Sequence, residues 1–85
     1  MKIKEGYLVR KVADTFVALS VGAENEGRVV RMNSTGAFIW GLLTEETTED
    51  AVVNALVENY QIDRETAEKS AKDFIEMLRK EDLLA

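Results

Sequence analysis

The chain contains no cysteine and no histidine, which removes most of the side chains from which reactive centres are built. Without them there is no thiol nucleophile, no disulfide, no imidazole base and no ordinary zinc ligand set. Sixteen Asp and Glu remain. A carboxylate becomes a useful catalytic acid when an apolar setting or a like-charged neighbour raises its pKa. All but Asp14, Asp50 and Asp73 stand in charge-rich stretches, and no pair has apolar flanks. Asn33-Ser34-Thr35 has the form of a glycosylation acceptor, but Asn33 is better placed as a helix cap and no secretion signal precedes it. Trp40 falls on the apolar side of a helical stretch, where core packing outweighs ligand stacking. Catalysis, metals and cofactors are therefore not expected. The chemistry left to the chain is that of its backbone at an unpaired strand edge.

The elements that would hold such an edge follow from spacing. Residues 7–12 and 15–21 are rich in β-branched and aromatic side chains, and only Ala13 and Asp14 separate them, which predicts a hairpin. In the second run Val17, Leu19 and Val21 share one face and Phe16, Ala18 and Ser20 the other. The first set is the more apolar and is expected to face the core. A polar loop bracketed by Gly22 and Gly27, and carrying Glu24 and Glu26, leads to a third strand over residues 28–32. Short links predict an antiparallel meander with residues 15–21 in the middle and residues 28–32 at an edge. The N–H and C=O groups of that edge are open to another chain. Arg28 and Arg31 there are either gatekeepers against aggregation or groups placed for a partner.

From residue 32 to 43 the apolar period changes from strand to helix. The Asn33 side chain can accept from the free N–H groups of a first helical turn, which makes it the N-cap. Ala37, Phe38, Trp40, Leu42 and Leu43 then form a helix apolar nearly all round, hence buried. A second helix is predicted over residues 48–59, capped by Thr47 or Thr48, with Glu49 and Asp50 in the turn where the helix dipole favours them. Its apolar face is Val52, Val53, Ala55, Leu56 and Tyr60. A third helix, capped by Asp63 and running to about residue 80, places Ala67, Ala71, Phe74, Ile75 and Leu78 at the 3.6-residue period. Arg64, Glu68, Lys72, Glu76 and Arg79 make its solvated face. Leu83 and Leu84 are expected to fold back on the core. The predicted fold is α+β and winged-helix-like, a three-stranded antiparallel sheet followed by three helices in a single domain.

A domain of this size hides only about 60 to 65% of its unfolded surface, so nearly every large apolar residue is needed inside. The net charge of −5 is uneven: residues 1–32 carry six Lys and Arg against four acids, and residues 33–85 carry five against twelve. Nucleic acid and anionic lipid both call for a basic surface, so neither is an expected partner. No run approaches the roughly 18 apolar residues of a membrane span, and a cytoplasmic location is expected.

Residues 32–43, with Asn33, Thr35, Gly36, Ala37, Ile39, Trp40, Leu42 and Leu43, closely resemble the signature of the PqqD-like family, the recognition elements of ribosomally made, modified peptides. The resemblance continues through Thr48, Asp50, Val52, Val53, Tyr60, Phe74, Ile75, Leu78, Leu83 and Leu84, covering nearly all of the chain from Val29 onward. It departs at Thr44-Glu45, where the family commonly has Asp-Gly, at Ser70, where it has Asp, and at Asp82, where it has Gly. The first and third are turn positions; Ser70 bears on which peptide is read. The resemblance implies a non-catalytic adaptor that binds the leader segment of a precursor peptide and presents it to a modifying enzyme, often a radical SAM enzyme. It also implies that the leader adds as a strand beside the third strand, in a groove closed by the third helix.

On that reading the peptide site is Arg28, Val29, Val30, Arg31 and Met32 on the strand, facing Lys69, Ser70, Phe74 and Met77 on the helix, with the arginines suited to an acidic leader. The rival is a winged-helix DNA-binding regulator, which calls for a basic reading helix and wing. Acids among the bases of the third helix, and Glu24 and Glu26 in the loop, argue against it. A structural subunit of a larger synthase would differ mainly in lacking a peptide ligand. An open strand edge also permits a homodimer by strand exchange.

Overall fold

A computed structural model describes residues 1–21 and 27–85. Residues 22–26, most of the expected polar loop with Glu24 and Glu26, lie outside the described residues. The order of elements is β1 (Tyr7–Val12), β2 (Thr15–Ser20), β3 (Val29–Met32), α1 (Ser34–Leu42), α2 (Glu49–Tyr60) and α3 (Arg64–Lys80). The sheet is an antiparallel meander in the order β1-β2-β3, so β3 is an edge as expected. Ala13, at φ 55°, takes the left-handed conformation that lets a two-residue link close the hairpin. β2 is one residue shorter than expected, and Arg28 stands just ahead of β3 rather than within it.

All three helix starts are set by local chemistry. Asn33 Oδ1 accepts from the backbone N–H of Gly36 at 2.8 Å, Thr48 Oγ1 from Ala51 at 3.1 Å, and Asp63 Oδ1 from Thr66 at 2.9 Å. Each bond satisfies one donor that the first turn cannot use internally. α1 then lies on β2 and β3, and α2 and α3 pack together beside it. Ile39, Trp40 and Leu43 meet Val52, Val53 and Leu56 of α2 and Ala67, Ala71, Ile75 and Leu78 of α3 in one buried core. Trp40 is core, 3% exposed and edge-on to Tyr7 at 5.6 Å between ring centroids.

The core face of β2 is the reverse of the expected one. Ala18 is fully buried and pairs with buried Val30, and Phe16 pairs with buried Met32. Directly paired residues point to the same side, so Phe16, Ala18 and Ser20 face the helices and Val17 and Leu19 face away. The small side chain of Ala18 leaves room for α1 over the middle of the sheet. Packing across three elements decides the face, and the apolar alternation of one strand does not.

The two ends of the chain add a clasp. Ile3, 4% exposed, forms an antiparallel bridge to Leu84. Its N–H donates to the Leu43 carbonyl at 2.8 Å, and the Lys4 N–H donates to that of Leu83 at 2.9 Å. Leu83 is fully buried, as the fold-back of the last residues predicts. The Met1 ammonium donates to the Glu46 carboxylate and to the Thr47 carbonyl. No helix among the described residues is long and apolar enough to cross a membrane.

Candidate functional site

β3 ends at Met32, and Asn33 turns the chain at once into α1. The start of α1 therefore lies at the foot of the β3 edge, and α3 passes on the other side. Between them is a groove of about 420 Å³, lined by Arg31 and Met32 of β3, by Asn33, Thr35, Gly36 and Ile39 around the start of α1, and by Ser70, Asp73, Phe74 and Met77 of α3. Ser70, Phe74 and Met77 are half-buried and spaced i, i+4, i+7, one stripe round from the fully buried Ala67, Ala71, Ile75 and Leu78. α3 thus gives one stripe to the core and the next to the groove wall.

The backbone of β3 makes the other wall reactive toward a strand. The Ser20 N–H donates to the Arg28 carbonyl at 3.0 Å, which makes Ser20 and Arg28 a hydrogen-bonded pair in the β2/β3 register. Hydrogen-bonded and open pairs alternate in an antiparallel ladder. Val30 and Met32 accordingly bond β2, while Val29 and Arg31 turn their N–H and C=O groups to the open edge. That edge offers two donors and two acceptors beside the groove.

The expected site residues divide on this geometry. Met32, Ser70, Phe74 and Met77 come together around the groove; Arg31 lines it at the strand edge, while its place in the ladder sets its side chain on the outer face. Val29 is 53% exposed and directs its side chain to the outer face of the sheet, contributing backbone alone to the edge. Val30 is buried and belongs to the core. Arg28 Nη2 donates to the Glu81 carbonyl and lies 3.3 Å from the Glu81 carboxylate, tying the approach to β3 to the end of α3. Lys69 lies outside the groove lining and donates to Asp73 at 2.9 Å; that bond, with the charge of Asp73, raises its pKa. Sequence reasoning missed Asn33, Thr35, Gly36, Ile39 and Asp73 as lining residues. The available signal was Gly36, a poor helix former placed in the first turn of a helix.

Gly36 has a steric reason to be glycine. A Cβ there would lie 2.9 Å from Phe74 Cε1 and 3.1 Å from Met32 Cβ. Its absence lets the start of α1 sit against Phe74 and form the floor of the groove.

The family described as coenzyme PQQ synthesis protein D (PqqD) matches residues 12–84. The chain belongs to the PqqD family. No curated protein matches it in sequence. Among solved structures, TbiB1 in complex with the TbiA(beta) leader peptide is similar to this PqqD-family chain at 30% identity and a TM-score of 0.75, covering 99% of this chain and 94% of that one. A lasso peptide synthetase B1 complexed with the leader peptide shares the fold at 21% identity and a TM-score of 0.71, over 96% and 93% of the two chains.

The electrostatics of α3 bear on the DNA-binding rival. Arg64 lies 3.7 Å from Asp50 and 4.0 Å from Glu68, and Lys69 is held by Asp73, so these cations are already matched by acids. Among the described residues no group of three or more Asp and Glu is arranged to hold a metal ion.

Proposed function

We propose that this PqqD-family domain is a non-catalytic adaptor that binds the leader segment of a ribosomally made precursor peptide and presents it to a modifying enzyme, of which a radical SAM enzyme is one class. The leader pairs as an added strand with β3 and sets alternate side chains into the groove against Ser70, Phe74 and Met77. The adaptor acts in the cytoplasm, where precursor peptides are synthesised. One observation carries this reading: the open N–H and C=O groups of Val29 and Arg31 lie directly beside that groove. A structural neighbour at 30% identity solved with a leader peptide supports it.

The energetics say what the leader must bring. Four main-chain hydrogen bonds at about 0.5 to 1.5 kcal/mol each give about 2 to 6 kcal/mol. A micromolar complex needs about 8 kcal/mol, and ordering the peptide adds a cost. One or two apolar leader side chains in the groove, at about 1.5 to 3 kcal/mol each, close the gap. With Arg28 engaged by Glu81, an acidic leader residue would meet Arg31.

The test is a titration of the labelled protein with the leader segment of the precursor peptide encoded beside its gene, followed by amide NMR. Shifts should concentrate at Val29, Arg31, Gly36 and the stretch 70–77. A leader that leaves those amides unmoved, together with duplex DNA that binds with a steep salt dependence, would replace the adaptor by the DNA-binding regulator.

A further inference from the structure

The groove leaves the outer face of the sheet unexplained. The strand register sets Leu8, Leu19 and Val29 in one row across all three strands, with Arg10, Val17 and Arg31 in the next. Leu8 is 42% exposed and Val29 53%, and Val12 at the end of β1 is also 53% exposed. The helices lie on the opposite face, over Ala18, Val30 and Met32. An antiparallel sheet with one wet face normally alternates apolar inward and polar outward. In β2 that order holds at Phe16, which faces inward, and is reversed beyond it, with Ala18 and Ser20 inward and Val17 and Leu19 outward. An apolar row that crosses all three strands, rather than side chains scattered singly, points to a surface that is covered in use.

The charges on the face select the occupant. At outward positions of β1, β2 and β3 the charged residues are Arg10 and Arg31, both cations, in a chain of net charge −5. A second copy stacked face to face about a two-fold axis would set these arginines against their own kind. An anionic membrane calls for clusters of about four to eight cations, and this face has two. We propose that the outer sheet face docks a separate protein whose surface offers an apolar strip flanked by carboxylates. That this protein is the modifying enzyme rests on the function proposed above.

The test uses the enzyme encoded beside the gene, with its affinity measured by calorimetry for the wild-type protein and for the double variant Leu8→Ser/Arg10→Glu. Both positions lie away from the groove. Affinity for the enzyme should fall by at least about tenfold, while affinity for a fluorescent leader stays within about twofold. If the double variant loses its fold by circular dichroism, Val12→Glu at the exposed end of β1 is the replacement, with a loss of about threefold or more expected. Unchanged enzyme affinity in a folded variant overturns the inference. So does wild-type self-association in sedimentation that the variant abolishes, or wild-type binding to phosphatidylserine-rich vesicles that the variant loses. Failure of the wild-type protein to bind leader sinks the adaptor reading instead, and the enzyme measurement still decides the use of this face.

Discussion

Gly36 is where the groove is most sensitive to a single atom. A methyl group there would meet Phe74 at 2.9 Å, Met32 at 3.1 Å and the capping oxygen of Asn33 at 3.3 Å. Of these neighbours, Phe74 is half-buried on the groove wall and has space to move into. Gly36→Ala should therefore push the Phe74 ring into the groove. The gain in helix propensity, up to about 1 kcal/mol, offsets part of the strain, so the thermal midpoint should change little. Leader affinity should fall by about tenfold, the equivalent of about 1.4 kcal/mol. Calorimetry together with the Phe74 ring shifts in NMR checks this, and an unmoved ring with full affinity would refute it. Residues differ in how openly they show such roles in sequence. Asn33 and Asp63 were legible as caps, and Thr48 as one of two candidates with Thr47, because capping is a bond over three residues. The role of Gly36 depends on a residue 38 positions away: a poor helix former in a first turn signals a close approach, and nothing local names Phe74 as the neighbour.

At the scale of elements, β3 was legible as an edge because short links leave a meander few alternatives. The open groups were not, since their identity depends on the phase of the β2/β3 ladder, fixed by the Ser20–Arg28 bond. The same limit explains the reversed face of β2: Val17 and Leu19 are more apolar than Ala18 and Ser20, and α1 nevertheless packs over Ala18. The ladder phase leads to a sharp expectation for the leader. A strand paired with β3 turns the N–H groups of every second residue toward Val29 and Arg31 and those of the intervening residues away. Methylating leader backbone nitrogens one at a time should therefore give affinity losses with a period of two, about tenfold at bonded positions and about twofold or less between them. Competition binding with a fluorescent parent leader gives the profile. A period near 3.6 would mean a helical leader lying in the groove, and strand addition would be wrong.

At the scale of the whole molecule, the groove and the outer face meet at one strand. Val29 and Arg31 point their backbone groups to the open edge and their side chains to the outer face. A leader strand added there contributes to both sides: its inward residues fill the groove against Phe74, and its outward residues continue the row formed by Leu8, Leu19 and Val29. A protein docked on the outer face would then touch the adaptor and the leader together. Binding of the two partners should be coupled, and coupling between binding free energies is reciprocal. If saturating leader tightens enzyme binding by about fivefold, equivalent to about 1 kcal/mol, saturating enzyme must tighten leader binding by the same factor. Two calorimetric titrations measure both sides of that cycle. An Asp substituted at an outward leader position should abolish the coupling while leaving leader affinity for the free adaptor within about twofold. Such a substitution at an inward position should instead weaken the leader itself, because it places a carboxylate against Phe74 and Met77. Enzyme binding indifferent to the leader would mean that the two surfaces work separately, with the added strand contributing nothing to the face it extends.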